Sequence, residues 1–274
     1  MSIDLLKLCD RESFYAEFLA EGIYPDGRPI NSFTKMSFKR GACGGVGSAL
    51  VRQGGVTVSC SIKASLTLQH DGPLVIPAIE SCSDINQKIV NDILDILNDL
   101  FSRNLLFPRE SLMSKGSDDA IPLCWQLNLD IRILNSDGCI LDAVIGAVVA
   151  ALSDVRLPWI EVSHLQNDEA PFEKNDIKIL EQTSPINYLN FPVAVTFGLY
   201  DVQKENGKTC ILCDPPTDIL NLSRIRCFLV ISEQGVLCMR TCGQLSDPVL
   251  IQTMIDCAEE RRKAVIHTLK TTDS

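Results

Sequence analysis

Between Gln126 and Leu152 the chain commits itself to a buried strand followed by a buried helix. Leu127, Leu129, Ile131 and Ile133 alternate with Gln126, Asn128, Asp130 and Arg132. Alternation of period two marks a strand with one face in a core and the other against polar surroundings. Asn135-Ser136-Asp137-Gly138 supplies a turn, and Ile140–Leu152 then runs apolar on every side of a helix. A helix without a polar face must be covered nearly all round. Asp142 interrupts it in the first turn, where a negative charge complements the positive end of the helix dipole.

The 274 residues, 46% hydrophobic and 22% charged, suffice for one large domain or two small ones. No run reaches the roughly 18 apolar residues that span a bilayer. The opening Met1-Ser2-Ile3-Asp4-Leu5-Leu6-Lys7 has an acid and no long apolar run, so no secretory signal is expected, and a soluble, intracellular protein is. Twelve cysteines then read as reduced, small hydrophobic residues. Cys60 lies on the apolar face of Val56–Ala64, and Cys139 opens the apolar helix. Cys210 and Cys213 form a CxxC, with Cys238 and Cys242 further on. Both pairs fall in strand-like runs, where residues three apart point to opposite faces, and this disfavours zinc.

The formal charge of −10 disfavours independent RNA or DNA binding, which draws most of its affinity from phosphate neutralisation. The densest basic cluster, Arg261-Arg262-Lys263, follows Glu259-Glu260 on a predicted helix and reads as a solvated, ion-paired face.

A first helix is predicted over Arg11–Glu21, with Phe14, Phe18 and Leu19 on one face, ended by Tyr24-Pro25-Asp26-Gly27-Arg28. Strands follow at Thr34–Arg40, Ser48–Arg52 and Val56–Ala64, the last two joined by a Gln53-Gly54-Gly55 hairpin turn. Asp84–Arg103 reads as an amphipathic helix with Asp84 and Gln87 as a capping box and Ile85, Ile89, Ile93, Leu97 and Leu100 as its apolar stripe. Phe107–Pro122 reads as loop. Further strands are expected at Trp159–Val162, Phe191–Leu199, Thr209–Cys213, Ile225–Ile231 and Val236–Arg240, with Asp201–Lys208 as a hairpin tip. A last helix begins at the cap Asp247 and Pro248, burying Ile251, Met254, Ile255, Ala258 and Val265. This order fits a mixed α+β domain.

Several blocks, in this order, resemble the RNase PH-like family, in particular the ring subunits of the RNA exosome. They are Pro25-Asp26-Gly27-Arg28, Gly47-Ser48-Ala49-Leu50-Val51-Arg52-Gln53-Gly54 with Val56-Thr57-Val58, and Leu129-Asp130-Ile131 with Asp137-Gly138-Cys139-Ile140-Leu141-Asp142-Ala143. Ala150-Ala151-Leu152, Leu157-Pro158, Phe191-Pro192-Val193-Ala194-Val195-Thr196 and Asp214-Pro215 continue the pattern. The resemblance covers most of the chain. It implies an RNase PH-like (ribosomal protein S5 domain 2-like) fold of mixed sheets packed with helices. That fold would form one domain over 1–274, with 1–24 a helical arm and 247–274 a C-terminal helix. The helix before PDGR resembles the non-catalytic ring type, nearest to the subunit called component eight in animals.

Catalytic members of that family combine RNA-facing arginines, a phosphate-binding loop and clustered acids that hold a metal; phosphorolysis needs cations and positioning because phosphate attacks an anionic backbone. This chain departs from all three. No arginine lies between Arg52 and Arg103, although the family's arginine loop falls near Ser81-Cys82-Ser83. The acidic segment is only Asp214-Pro215-Pro216-Thr217-Asp218-Ile219; its two acids have the chemistry to chelate Mg²⁺, but the simpler expectation is that Asp214 ends a strand and Asp218 caps a turn. Thr241-Cys242-Gly243-Gln244 replaces a GGSG-like loop and makes a poor phosphate nest. Gly41-Ala42-Cys43-Gly44-Gly45-Val46-Gly47 lacks the Lys-Ser/Thr of a P-loop and reads as a turn. His70, His164 and His267 suggest no triad or metal site. Arg28 is expected to pin the N-terminal arm by an ion pair. No catalytic, cofactor-binding or metal residue is assigned, and whether Lys63, Lys88 or Arg103 touches RNA stays open.

The resemblance thus implies a catalytically silent ring subunit, in nucleus, nucleolus and cytoplasm. It would sit with other RNase PH-like chains in a hetero-hexameric ring, beside S1/KH-type cap proteins, with RNA in the channel. The alternatives are a phosphate-dependent 3′-to-5′ exoribonuclease and a stand-alone RNA-binding module.

Overall fold

The computed structural model describes residues 10–68, 72–81, 85–113, 123–162, 177–188, 190–202 and 208–271. The strand–turn–helix block lies at its centre. Strand β5 (Leu123–Asp137) pairs antiparallel with β3 (Gly55–Leu68) along its whole length, and Leu127, Leu129, Ile131 and Ile133 are buried as their alternation requires. Strand β2 (Gly47–Gln53) folds back on β3, and β1 (Met36–Arg40) pairs antiparallel on its outer side. The β2–β3 turn pairs Gln53 with Val56 around Gly54 at φ +56°, a left-handed conformation that glycine adopts without strain.

On the other side of β5 lies β4 (Val75–Ser81), parallel to it, giving the order β1-β2-β3-β5-β4. Sequence patterning missed β4 because Val75-Ile76-Pro77-Ala78 has no clean alternation. Pro77 cannot donate to a ladder and is tolerated because β4 is an edge.

The second sheet runs β11-β10-β8-β9, all antiparallel, from β8 (Val193–Val202), β9 (Lys208–Cys213), β10 (Ile225–Ser232) and β11 (Gly235–Cys242). Helix α3 (Ile140–Ser153) packs against β2 and β3 of the first sheet and β8 of the second, which buries every residue from Leu141 to Leu152. That is the cover an all-apolar helix demands. The long helix near the C-terminus (Pro248–Thr271, α5 here) leans on β1, β8 and β10, and one continuous apolar core joins both sheets. A two-stranded ribbon pairs β6 (Arg156–Val162) with β7 (Ile177–Pro185); β7, almost wholly exposed, had no apolar period to betray it.

Other expectations needed adjustment. Helix α2 (Gln87–Ser102) starts three residues later than predicted, because Asn86 caps it by accepting from the Lys88 amide; Asp84 lies outside the described residues. Its buried stripe is Val90, Ile93, Ile96, Leu97 and Leu100, whereas Ile85 precedes the helix and Ile89 is 42% exposed. Asp247 accepts from the Val249 amide, as a cap should, but α5 buries Arg261 and Leu269 together with Met254, Ala258 and Val265, leaving Ile251 and Ile255 half-buried. A short helix, α4 (Thr217–Leu222), was not foreseen. Among the described residues no helix is long and apolar enough to cross a membrane.

Candidate functional site

The N-terminal helix α1 (Arg11–Ala20) is capped by Asp10, whose carboxylate accepts from the Ser13 amide. Phe14, Tyr15 and Leu19 pack with Tyr24, Tyr200, Leu212 and Ile219 into a satellite cluster beside β8, β9 and α4. The arm thereby lies across the acidic segment Asp214–Asp218. Tyr24 Oη donates to the Cys213 carbonyl at 2.9 Å. Arg28 stacks over the Tyr24 ring and donates through Nη1 to the Ser32 and Cys213 carbonyls and through Nη2 to that of Asp214, 2.7 Å away. Arg28 therefore pins the arm, but through carbonyls rather than the expected ion pair; its nearest approach to the Asp214 carboxylate is 4.0 Å.

Both acids of the segment are engaged by the protein itself. Asp214, in a left-handed conformation at φ +50° just after β9, is 5% exposed. Its Oδ1 accepts from Gln53 Nε2 at 2.9 Å, and its Oδ2 from the Thr34 amide at 3.0 Å and the Thr34 hydroxyl. Asp218 lies in the first turn of α4, yet its side chain does not cap it. It accepts instead from Tyr15 Oη at 2.7 Å and Arg11 Nη1 at 3.2 Å. The strand-ending role expected of Asp214 holds, and the turn-capping role of Asp218 is replaced by arm contacts.

Asp214 has a second neighbour that sequence reasoning did not bring to it. Asp142 on α3 is 2% exposed, and ligand atoms of Cys139, Asp142 and Asp214 lie within 4.8 Å of one another. Asp142 accepts from the Thr196 amide at 3.0 Å and the Thr196 hydroxyl at 2.7 Å. Burial pushes its carboxyl up to about 7, with the Asp214 charge adding and the Thr196 bonds and Arg261 opposing. Burial likewise holds the Cys139 thiol well above its usual range, and that thiol donates to the Pro215 carbonyl at 3.5 Å. Arg261 faces the same acids from α5, its pKa lowered by burial while Asp214 and Asp142 favour its charge. The group has the donor types of a metal site, and each oxygen of its two carboxylates accepts a protein hydrogen bond. Through those bonds it locks arm, sheet and helices together. The hints in sequence were one acid on α3 and one arginine on the inner face of α5.

The other candidates are dispersed. Cys210 and Cys213 sit on β9 and Cys238 and Cys242 on β11, the two opposite edges of a four-stranded sheet, so the pairs cannot share an ion. Lys63 and Lys88 are exposed, while Arg103 pairs with Asp99 at 3.1 Å and donates to the Leu237 carbonyl. The glycine-rich stretch forms the β1–β2 connection over 41–46, the turn expected before a strand, and Gly47 opens β2; Gly45 passes so close to the Ile62 carbonyl that a Cβ would lie 2.3 Å from it. Thr241 and Cys242 are exposed at the end of β11, and His267 is exposed on α5. Cys82, Ser83, His70 and His164 lie outside the described residues.

Residues 27–158 match the family model described as the 3′ exoribonuclease family, domain 1. Across 98% of this chain and 99% of the relative, the sequence is 25% identical to exosome complex component Rrp42 of Methanopyrus kandleri. It is also 25% identical to exosome complex component rrp45 of Schizosaccharomyces pombe, over 77% of this chain and 72% of that one. Among solved structures, it superposes on a chain of an archaeal exosome core with a TM-score of 0.69 at 19% identity, covering 96% of this chain and 97% of that one. A chain of the Archaeoglobus fulgidus exosome with RNA bound to the active site gives a TM-score of 0.64 at 21% identity, covering 95% and 98%. The architecture is the RNase PH fold, α+β, as expected.

Proposed function

We infer that this RNase PH-fold chain is a ring subunit of an exosome core, supporting 3′-to-5′ RNA processing and decay as a scaffold and channel wall without catalysing either. The observation that carries the silent role is the closure of Asp214 and Asp218 by Gln53, Thr34, Tyr15 and Arg11. Those bonds tie both carboxylates to the arm or the β2–β3 hairpin, and a metal such as phosphorolysis uses would have to compete with them for the oxygens' lone pairs. The missing arginines between Arg52 and Arg103 and the single glycine of Thr241–Gln244 point the same way.

The scaffold role rests on resemblance along the whole chain to Rrp42 of M. kandleri, a named exosome component. The chain forms one domain over 1–274, with 1–24 as arm and 247–274 as terminal helix. Its partners are RNase PH-like chains in a hetero-hexameric ring, S1/KH-type cap proteins, and RNA in the channel. The complex works in nucleus, nucleolus and cytoplasm, including rRNA processing. Within the ring we place the chain in the non-catalytic class, and the PDGR arm carries the finer assignment to the type called component eight in animals; the relatives described above bear the names Rrp42 and rrp45. The charge of −10 is tolerable in a ring whose basic neighbours supply the RNA-contacting surface.

Native mass spectrometry of the tagged protein, purified gently from its own cells, tests this. Five related chains plus cap subunits at single copy are expected; a monomer or homo-oligomer overturns it. The purified chain should not trim RNA in the presence of phosphate, and should bind RNA weakly at physiological salt.

A further inference from the structure

Cys213 and Cys257 come from elements far apart in the chain, and their thiols meet. Cys213 ends β9 at 1% exposure, Cys257 is half-buried on α5, and neither is in a disulfide. The packing around them fixes the meeting. Cys213 stands opposite Phe197 across the β8–β9 ladder, so both side chains share one face of the sheet. Phe33 meets Phe197 edge-on with ring centroids 6.0 Å apart, and the Arg261 guanidinium lies 5.3 Å from the centre of the Phe33 ring. Cys257 precedes Arg261 by one turn on the same face of α5. That places its sulfur against the sulfur of Cys213, close enough for the two to share a hydrogen bond.

We propose that Cys213 and Cys257 are a redox-sensitive pair, which a hydroperoxide closes into a disulfide that staples α5 to β9. The Cys257 thiolate, on the more open side, attacks the peroxide. An S–O bond forms, the O–O bond breaks, and the departing hydroxide takes the thiol's proton and leaves as water. The Cys213 sulfur then attacks the sulfenic sulfur, forming S–S and breaking S–O, and the second hydroxide leaves as water with the Cys213 proton. Two thiols lose two electrons in all, one peroxide becomes two waters, and a dithiol restores the pair. Burial pushes the Cys213 thiol up to about 12 and raises that of Cys257, so little thiolate exists at neutral pH and closure takes a sustained excess of peroxide. β9 leads directly into Asp214, and α5 carries Arg261, so the staple braces the elements that hold the buried acids. The inference uses this chain alone and does not need the ring-subunit reading.

The test uses the full-length chain, reduced, freed of reductant, held in hydrogen peroxide, blocked with N-ethylmaleimide and digested without reduction. Mass spectrometry should find a peptide linked through Cys213 and Cys257 that dithiothreitol separates. The link closes a long loop, so the oxidised protein should melt roughly 5 to 10 °C higher, and dithiothreitol should abolish the rise. Cys257→Ser should lose both the link and the rise, whereas the exposed pair Cys43→Ser with Cys242→Ser should keep both. Both thiols recovered as maleimide adducts, Cys257 driven to sulfinic acid without a link, or a link to some other cysteine overturns the proposal. A Cys213–Cys257 link that leaves Tm unchanged also overturns it, because it would record a loosened helix rather than two thiols in contact. The wild-type mapping decides the matter even where Cys257→Ser fails to fold.

Discussion

Asp142 offers the sharpest test of the buried lock. In the unfolded chain this carboxyl ionises near its ordinary value of 3.8, whereas the folded protein holds the proton up to about 7. The folded state is therefore the proton-richer one between those values. Stability attributable to this group is complete below pH 3.8, drains as pH rises, and is fully lost above pH 7. The gap corresponds to about 4 kcal/mol at most, of which about 2 to 3 kcal/mol is given up between pH 5 and pH 8. Asp142→Asn removes the titration while keeping the shape. Its amide oxygen can accept from the Thr196 amide, and its Nδ2 can donate to the Thr196 hydroxyl, which turns to accept. Exchanging charge-assisted for neutral hydrogen bonds costs about 1 kcal/mol. The variant should thus be about 1 kcal/mol less stable than wild type at pH 5 and about 1 to 2 kcal/mol more stable at pH 8. Urea unfolding at four pH values, followed by the fluorescence of Trp125 and Trp159, reads the difference. A gap between the two proteins that does not change with pH, or one that widens towards acid, refutes the reasoning.

Two further substitutions probe how the arm and the glycines hold the site. Arg28→Ala strips the part-buried Ser32 and Asp214 carbonyls of their side-chain donor, and that of Cys213 of one donor of two, and should cost about 2–4 kcal/mol; limited proteolysis should then cut preferentially between residues 11 and 35, and uniform resistance would mean that the arm is held by its apolar cluster alone. Gly47→Ala places a Cβ 2.6 Å from Val155 Cγ2 and 2.7 Å from the Ala151 carbonyl. Because a backbone carbonyl cannot yield, it should cost about 1–3 kcal/mol, or roughly 2–4 °C in Tm for each kcal/mol; an unchanged Tm would show that α3 can shift away from β2.

What the sequence determined by itself was whatever depends on near neighbours along the chain. The alternation of Leu127 to Ile133, the unbroken apolar surface of α3, the Gly54 hairpin and the Asp247 cap each encode a conformation within a few residues, and each forms as expected. The motifs carrying the family resemblance are of that kind, so the RNase PH fold was legible in them. Tertiary structure decided which polar groups meet. Asp142, Asp214 and Arg261 come from three elements well separated in sequence, and Tyr15 and Arg11 reach Asp218 from the far N-terminus. Likewise β4 and β7 became strands only because a partner strand was beside them; β7 meets solvent on both faces and has no apolar period, and Pro77 interrupts that of β4. Whether an acid ends as a metal ligand or a structural lock depends on the donors brought against its two oxygens, and those donors are chosen by packing over distances that local patterning does not encode.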